Sequence, residues 1–198
     1  MSKNKSHKSR LIMQLAALVA GITLFSGCVG PTPGTSSPST ASGDPKVGGT
    51  VVVGIQQEPG HFNPYLAQAA GDREILFNVF EGLYKSDASG TMQPALAESY
   101  TMSPDAMTYT FTLRDDVRFH NGKELAAEDV VYSFEQAMAD GSIVTGLEGI
   151  ASVTSTDART VVIRLAEPDV ELLPFMGCPI VPAGAEDLDE QPIGTGPF

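Results

Sequence analysis

From Tyr109 to Arg114 the chain alternates, with Tyr109, Phe111 and Leu113 apolar and Thr110, Thr112 and Arg114 polar, the period of two that a half-buried strand requires. Asn121-Gly122 comes next, a pair that tolerates the positive φ angles of a tight reversal. The period then changes. Val130, Val131, Phe134 and Ala137 recur at helical spacing while Glu128, Asp129, Glu135 and Gln136 stay polar, which predicts an amphipathic helix beginning near Ala127.

The same reading extends along the chain. Thr50 to Ile55 is a β-branched apolar run after Gly48-Gly49 and predicts a buried central strand, broken afterwards by Pro59, Gly60 and Pro64. Ile75, Leu76, Val79, Phe80 and Leu83 define the face of a helix from about Asp72 to Gly82, with Gly82 suited to its end. Glu98 to Met102 and Thr108 to Arg114 predict paired strands across Ser103-Pro104-Asp105. A second hairpin is predicted from Gly149 to Ser155 and Thr160 to Leu165 about Thr156-Asp157-Ala158-Arg159. Ala166 to Leu173 reads as partly helical and Pro174 to Pro182 as extended, and no internal repeat is visible.

The stretch YTFTLRDDVRFHNGKELAAEDVVYSFEQA (Tyr109 to Ala137) resembles the family 5 extracellular solute-binding proteins of ABC transporters, the group that captures oligopeptides, dipeptides, nickel complexes and some sugars. The resemblance extends to GGTVVVGIQQEPGHFNPY (Gly48 to Tyr65), ILFNVFEGLYKSDASG (Ile75 to Gly90), PALAESYTMSPDAMTYTFTLR (Pro94 to Arg114), TDARTVVIRLAEP (Thr156 to Pro168) and PIGTGPF (Pro192 to Phe198), each in the family's order. It implies an α/β periplasmic-binding-protein-like type II fold. Residues 46–198 would supply the N-terminal part of lobe I, with a small α+β subdomain inserted at about 64–182 and the chain returning to lobe I at GTGPF. It also implies a second lobe, which this chain is too short to include. Where the family usually places Thr or Ser, this chain has Ala126. Loss of such an N-cap costs ~0.5–2 kcal/mol, which Glu128 and Asp129 in the first turn partly offset through the helix dipole.

The N-terminus carries a separate signal. Lys3, Lys5, Lys8 and Arg10 precede an apolar run from Leu11 to Phe25 and then Ser26-Gly27-Cys28, which together read as a secretory signal over residues 1–27. The run is short for a membrane span of ~20 residues. Leu24 to Cys28 resembles a lipobox, with Phe25 where Leu, Val or Ile is usual, and implies that Cys28 is lipidated. Residues 29–45, almost all Gly, Pro, Ser, Thr and Ala, bury too little apolar surface to fold and read as a tether. The expected location is therefore extracytoplasmic, held to the cell membrane by lipid.

Residues 1–27 hold four of the twelve Lys and Arg and none of the twenty-four Asp and Glu, so the remainder has eight basic against twenty-four acidic residues, a formal −16. Nucleic acid is excluded as a natural partner for such a surface. With Cys28 acylated, Cys178 has no partner for a disulfide, and in the apolar run FMGCPIVP it reads as a buried, inert thiol.

Glu58, just beyond the first predicted strand, stands where open α/β sheets bind ligands. In the family this loop lines the cleft, which makes Glu58, Gln57 and Gln56 candidate ligand contacts. The resemblance assigns Thr195 and Gly196 of GTGPF to the segment whose backbone faces the ligand, and Gly194 and Gly196 permit close approach. Phe80, Glu81, Gly82 and Tyr84 form another recognisable cluster, with Phe80 on the core side. His120 reads as a histidine at the tip of a hairpin, since no HxxxH or HxH spacing supports a metal. Glu186, Asp187, Asp189 and Glu190 read as a solvated loop. No cofactor, nucleophile elbow or phosphate loop is indicated, and an enzyme is not expected. The expected function is capture of a peptide or similar small solute for delivery to an ABC permease. A truncated, non-transporting lipoprotein and a ligand-presenting sensor module stand as alternatives.

Overall fold

The computed structural model describes residues 48–50, 52–55 and 58–198. The signal region, Cys28, the tether, Gln56 and Gln57 lie outside them. Gly48, Gly49 and Thr50 belong to a first unit and are exposed. The second unit, Val51–Phe198, carries the secondary structure.

Its core is a four-stranded antiparallel sheet whose two central strands obey the alternation. β3 (Ala97–Met102) pairs with β4 (Thr108–Leu113), β4 with β6 (Thr160–Leu165), and β6 with β5 (Ile150–Asp157), giving the order β3-β4-β6-β5. Two short strands, β1 (Tyr84–Ser86) and β2 (Met92–Pro94), form a separate ribbon. Tyr109, Phe111 and Leu113 are 1%, 0% and 0% exposed. Phe111 lies opposite Val161 and Tyr109 opposite Ile163, so both strands direct their apolar residues to one face. The predicted hairpins form at Ser103–Asp105 and Thr156–Arg159, with a register shift between Ala97 and Ser99.

α1 (Ala70–Leu76) precedes the sheet and α2 (Ala127–Met138) lies between β4 and β5. α2 packs against β5 and β6, burying Val130, Phe134 and Ala137 as its period predicts. Val130 and Phe134 each contribute roughly 1.5–3 kcal/mol of transfer free energy. Asp129 departs from the predicted polar side, since it is 0% exposed. Its Oδ2 accepts the Ala126 N–H at 2.9 Å, and its Oδ1 accepts the Lys123 ammonium at 2.6 Å and the Ala183 N–H at 2.7 Å. With no hydroxyl at Ala126 to cap the helix, this carboxylate holds the N-terminus from inside.

Three predicted elements are corrected. Val52 to Ile55 form no strand, and Val52 and Val53 are 90% and 76% exposed. A strand buried on both faces needs neighbours on each side, and the described residues supply none there. The first helix ends at Leu76; hydrogen-bonded turns carry it through Phe80. The chain then leaves the helix because residues 81–84 bond sideways: Leu96 N–H to Gly82 O, Ala95 N–H to Leu83 O, Ile180 N–H to Glu81 O and Tyr84 N–H to Met176 O. Gly82 is therefore a close-approach residue. A Cβ there would lie 2.5 Å from Met176 O. Finally, residues 166–172 form bends without a helix, and only a 3-10 turn, Leu173–Phe175, follows; Pro168 removes the N–H that a helix would need. The extended segment expected from Pro174 opens inside that turn, and residues 178–182 carry no regular structure.

Among the described residues no helix is long and apolar enough to cross a membrane.

Candidate functional site

The terminal segment, residues 192–198, is threaded between the exit of α1 and the Asn121-Gly122 turn. Gly196 N–H donates to Val79 O at 2.9 Å and Phe198 N–H to Asn78 O at 3.3 Å. Thr195 Oγ1 donates to Glu81 Oε2 at 3.2 Å, and Lys85 Nζ lies 3.6 Å from Glu81 Oε1. Across the segment, His120 N–H donates to Gly194 O at 2.9 Å, with His120 Nδ1 3.3 Å from Gly194 N and Nε2 2.9 Å from Gly196 O. No side chain fits at either glycine: a Cβ on Gly194 would lie 1.9 Å from Val79 O, and one on Gly196 2.3 Å from Asn78 O. The glycines serve close approach within the protein.

Glu81 forms a wall shared by two open cavities. One, of about 670 Å³, is lined by Phe77, Asn78, Phe80, Tyr84, Lys85 and Pro197 among others. The second, of about 300 Å³, reaches Thr195, Arg114 and Arg118. The recognisable cluster Phe80 to Tyr84 thus divides: Phe80 and Tyr84 are core residues, 6% and 5% exposed, and Glu81 is the polar group at the cavity edge.

Glu58 is exposed. The loop after it is firmly held. Gly60 N–H donates to Asp72 Oδ1 at 2.8 Å, and Phe62 and Asn63 N–H donate to Asp189 Oδ1 at 2.7 and 2.9 Å, with His61 Nδ1 3.3 Å from Oδ2. The Asn63 N–H, with the His61 ring and the Phe62 N–H, holds the Asp189 carboxyl below its usual range. Asp189 is thus the anchor of the Glu58 loop rather than part of a purely solvated acidic run. No hydrogen bond among the described residues joins Glu58 to Thr195, so the predicted contacts sit on separate supports.

His120 is exposed at its turn, where Gly122 adopts φ 84°, but its ring is engaged at both nitrogens. Its partners lie 74 and 76 residues away, and no local spacing signals them. Cys178 is 3% exposed, and burial pushes its thiol up to about 12. Among the described residues no three His, Cys, Asp or Glu converge in a metal-holding group.

Residues 91–198 match the profile of the bacterial extracellular solute-binding proteins, family 5 (middle). Protein XP55 of Streptomyces lividans is 30% identical over 98% of this chain and 36% of its own length. The oligopeptide-binding protein AppA of Bacillus subtilis is likewise 30% identical, over 98% of this chain and 39% of its own length. The chain therefore spans well under half of these relatives. The structure of the periplasmic binding protein AgaA from A. tumefaciens R10, in complex with agropinic acid, superposes with a TM-score of 0.66 at 30% identity, over 71% of this chain and 31% of that one. With its single-faced sheet, buried helix and glycine-threaded terminal segment all falling within the matched region, this chain belongs to the family 5 bacterial extracellular solute-binding proteins.

Proposed function

We propose that this protein is an extracytoplasmic lipoprotein that binds a peptide or similar small solute for delivery to an ABC transporter permease. The observation that carries the reading is the terminal segment. Thr195 and Gly196 are held in fixed geometry beside the Glu81 carboxylate, with Thr195 lining the smaller cavity and the next residue, Pro197, lining the larger. A peptide presents N–H groups and an ammonium that carboxylates accept, and fixed backbone groups recognise it without the entropy loss of mobile side chains. Glu58, on its anchored loop, is the second acceptor, and Gln56 and Gln57 are the further candidate contacts that precede it in the sequence. Residues from about 64 to 182 act as the inserted subdomain that supports these edges, and closure against a second lobe selects the bound state. The oligopeptide-binding relative supports a peptide, and the superposed AgaA structure, in complex with agropinic acid, supports the wider class of small solutes.

Calorimetry of the purified protein with tri- and tetrapeptides, a nickel–histidine chelate and a maltooligosaccharide tests this. Heat with the peptides alone is expected. Heat only with the sugar would overturn the peptide preference, and no heat with any would overturn ligand capture by this chain.

A further inference from the structure

His120 joins Gly194 and Gly196, the residues on either side of Thr195, from a single turn. Its backbone N–H donates to Gly194 O. A carbonyl only accepts, so the 2.9 Å contact of Nε2 with Gly196 O requires the proton on Nε2. The Gly194 N–H only donates, so Nδ1, at 3.3 Å, is the bare nitrogen. One neutral tautomer satisfies both neighbours, and the opposite tautomer satisfies neither. The ring is also presented from a rigid base: Phe119 is 2% exposed, its N–H donates to Lys123 O at 2.9 Å, and Gly122 N–H returns to Phe119 O at 2.8 Å. Opposite, the segment meets Val79 O, Asn78 O and Glu81. The only side chain of the triplet, Thr195, is thereby directed to Glu81.

We propose that His120 is the positioning residue of the binding site: its imidazole, as the Nε2–H tautomer, fixes the Gly194–Gly196 backbone so that Thr195 and Gly196 are presented in one geometry. The inference rests on the reading of Thr195 and Gly196 as ligand contacts. His120 itself does not touch the ligand. An asparagine keeps an acceptor near Nδ1 and loses the donor; an alanine loses both.

Amide hydrogen exchange and nitrogen-15 NMR test the positioning without any ligand. In the unaltered protein, long-range couplings are expected to show the Nε2–H tautomer, and the Nδ1–H form would overturn the proposal whatever the variants do. In His120→Ala, exchange at Gly194 and Gly196 is expected to rise about tenfold, as when one or two net hydrogen bonds are lost, while the amides of β4 and β6 stay unchanged. His120→Asn is expected to restore protection at Gly194. An equal rise at all amides, or none at the two glycines, would overturn it. Calorimetry with tetra-alanine then separates the two claims. A peptide affinity about tenfold weaker in His120→Ala supports positioning of a binding site, and unaltered affinity refutes it. If the unaltered protein gives no peptide heat, the peptide reading falls, and the tautomer and exchange results still decide whether His120 holds the segment.

Discussion

Asp129 shows how one side chain ties three parts of this chain together. Its carboxylate is fully buried and accepts from the helix start, from Lys123 and from Ala183. Beside it, Ser133 Oγ donates to Asp129 O at 2.7 Å and accepts the Val181 N–H at 2.9 Å, so α2 is stitched to residues 181–183 by two polar side chains one turn apart. Lys123 is 37% exposed and loses less than a buried cation would; the two backbone N–H groups would lose their acceptor outright. Asp129→Ala is therefore expected to lower unfolding stability by about 2–4 kcal/mol. Urea denaturation checks this, and a loss under 0.5 kcal/mol, the scale of ordinary surface changes, would show that the carboxylate holds little. The sequence placed Asp129 on a polar face because its spacing is that of its exposed neighbours. Nothing local reveals that Ala183 folds over it.

The β1–β2 ribbon is the element that periodicity missed, because strands of three residues with exposures that do not alternate carry no readable period. What shapes it is Asp87. Oδ1 accepts the Ser89 hydroxyl at 2.6 Å and the Ser89 and Thr91 N–H at 2.8 and 3.0 Å, and Oδ2 accepts Gln93 Nε2 at 3.1 Å. The Ser89 hydroxyl, then Gln93 and the two N–H groups, lower the carboxyl from its usual 3.8 to about 2. A depressed carboxyl contributes stability that is fully present above the unfolded value, 3.8, and is lost as pH falls through the folded value of about 2. The Ser89 and Thr91 amide resonances are therefore expected to hold constant from pH 7 to 4 and to move together near pH 2. A midpoint near 4 would show that these bonds do not form in solution. The longer elements were legible for the opposite reason: β4, β6 and α2 each repeat their burial pattern several times within six to twelve residues, so one-sided burial leaves a mark in the sequence.

For the whole molecule, the proposed anchor is tested at Cys28. Cys28→Ala is expected to move the protein from the membrane fraction to the soluble one, since stable anchoring requires more than one acyl chain and Cys28 is the residue proposed to carry the lipid. Retention with an uncleaved N-terminus would point to the apolar segment itself as the anchor. At this scale the sequence by itself determined the two hairpins, the amphipathic helix and the family, because each rests on residues close together along the chain or on motifs in a fixed order. It named Glu58, Thr195 and Gly196 as candidates by the same route. The tertiary structure alone decided how they are held. Asp189 reaches Asn63 across 126 residues, Thr195 reaches Glu81 across 114, and His120 reaches Gly196 across 76. It also decided that Val52 and Val53, apolar enough for a buried strand, stay exposed. A hydrogen bond between distant segments imposes no period on either, and an apolar run becomes a buried strand only where neighbours exist to cover it.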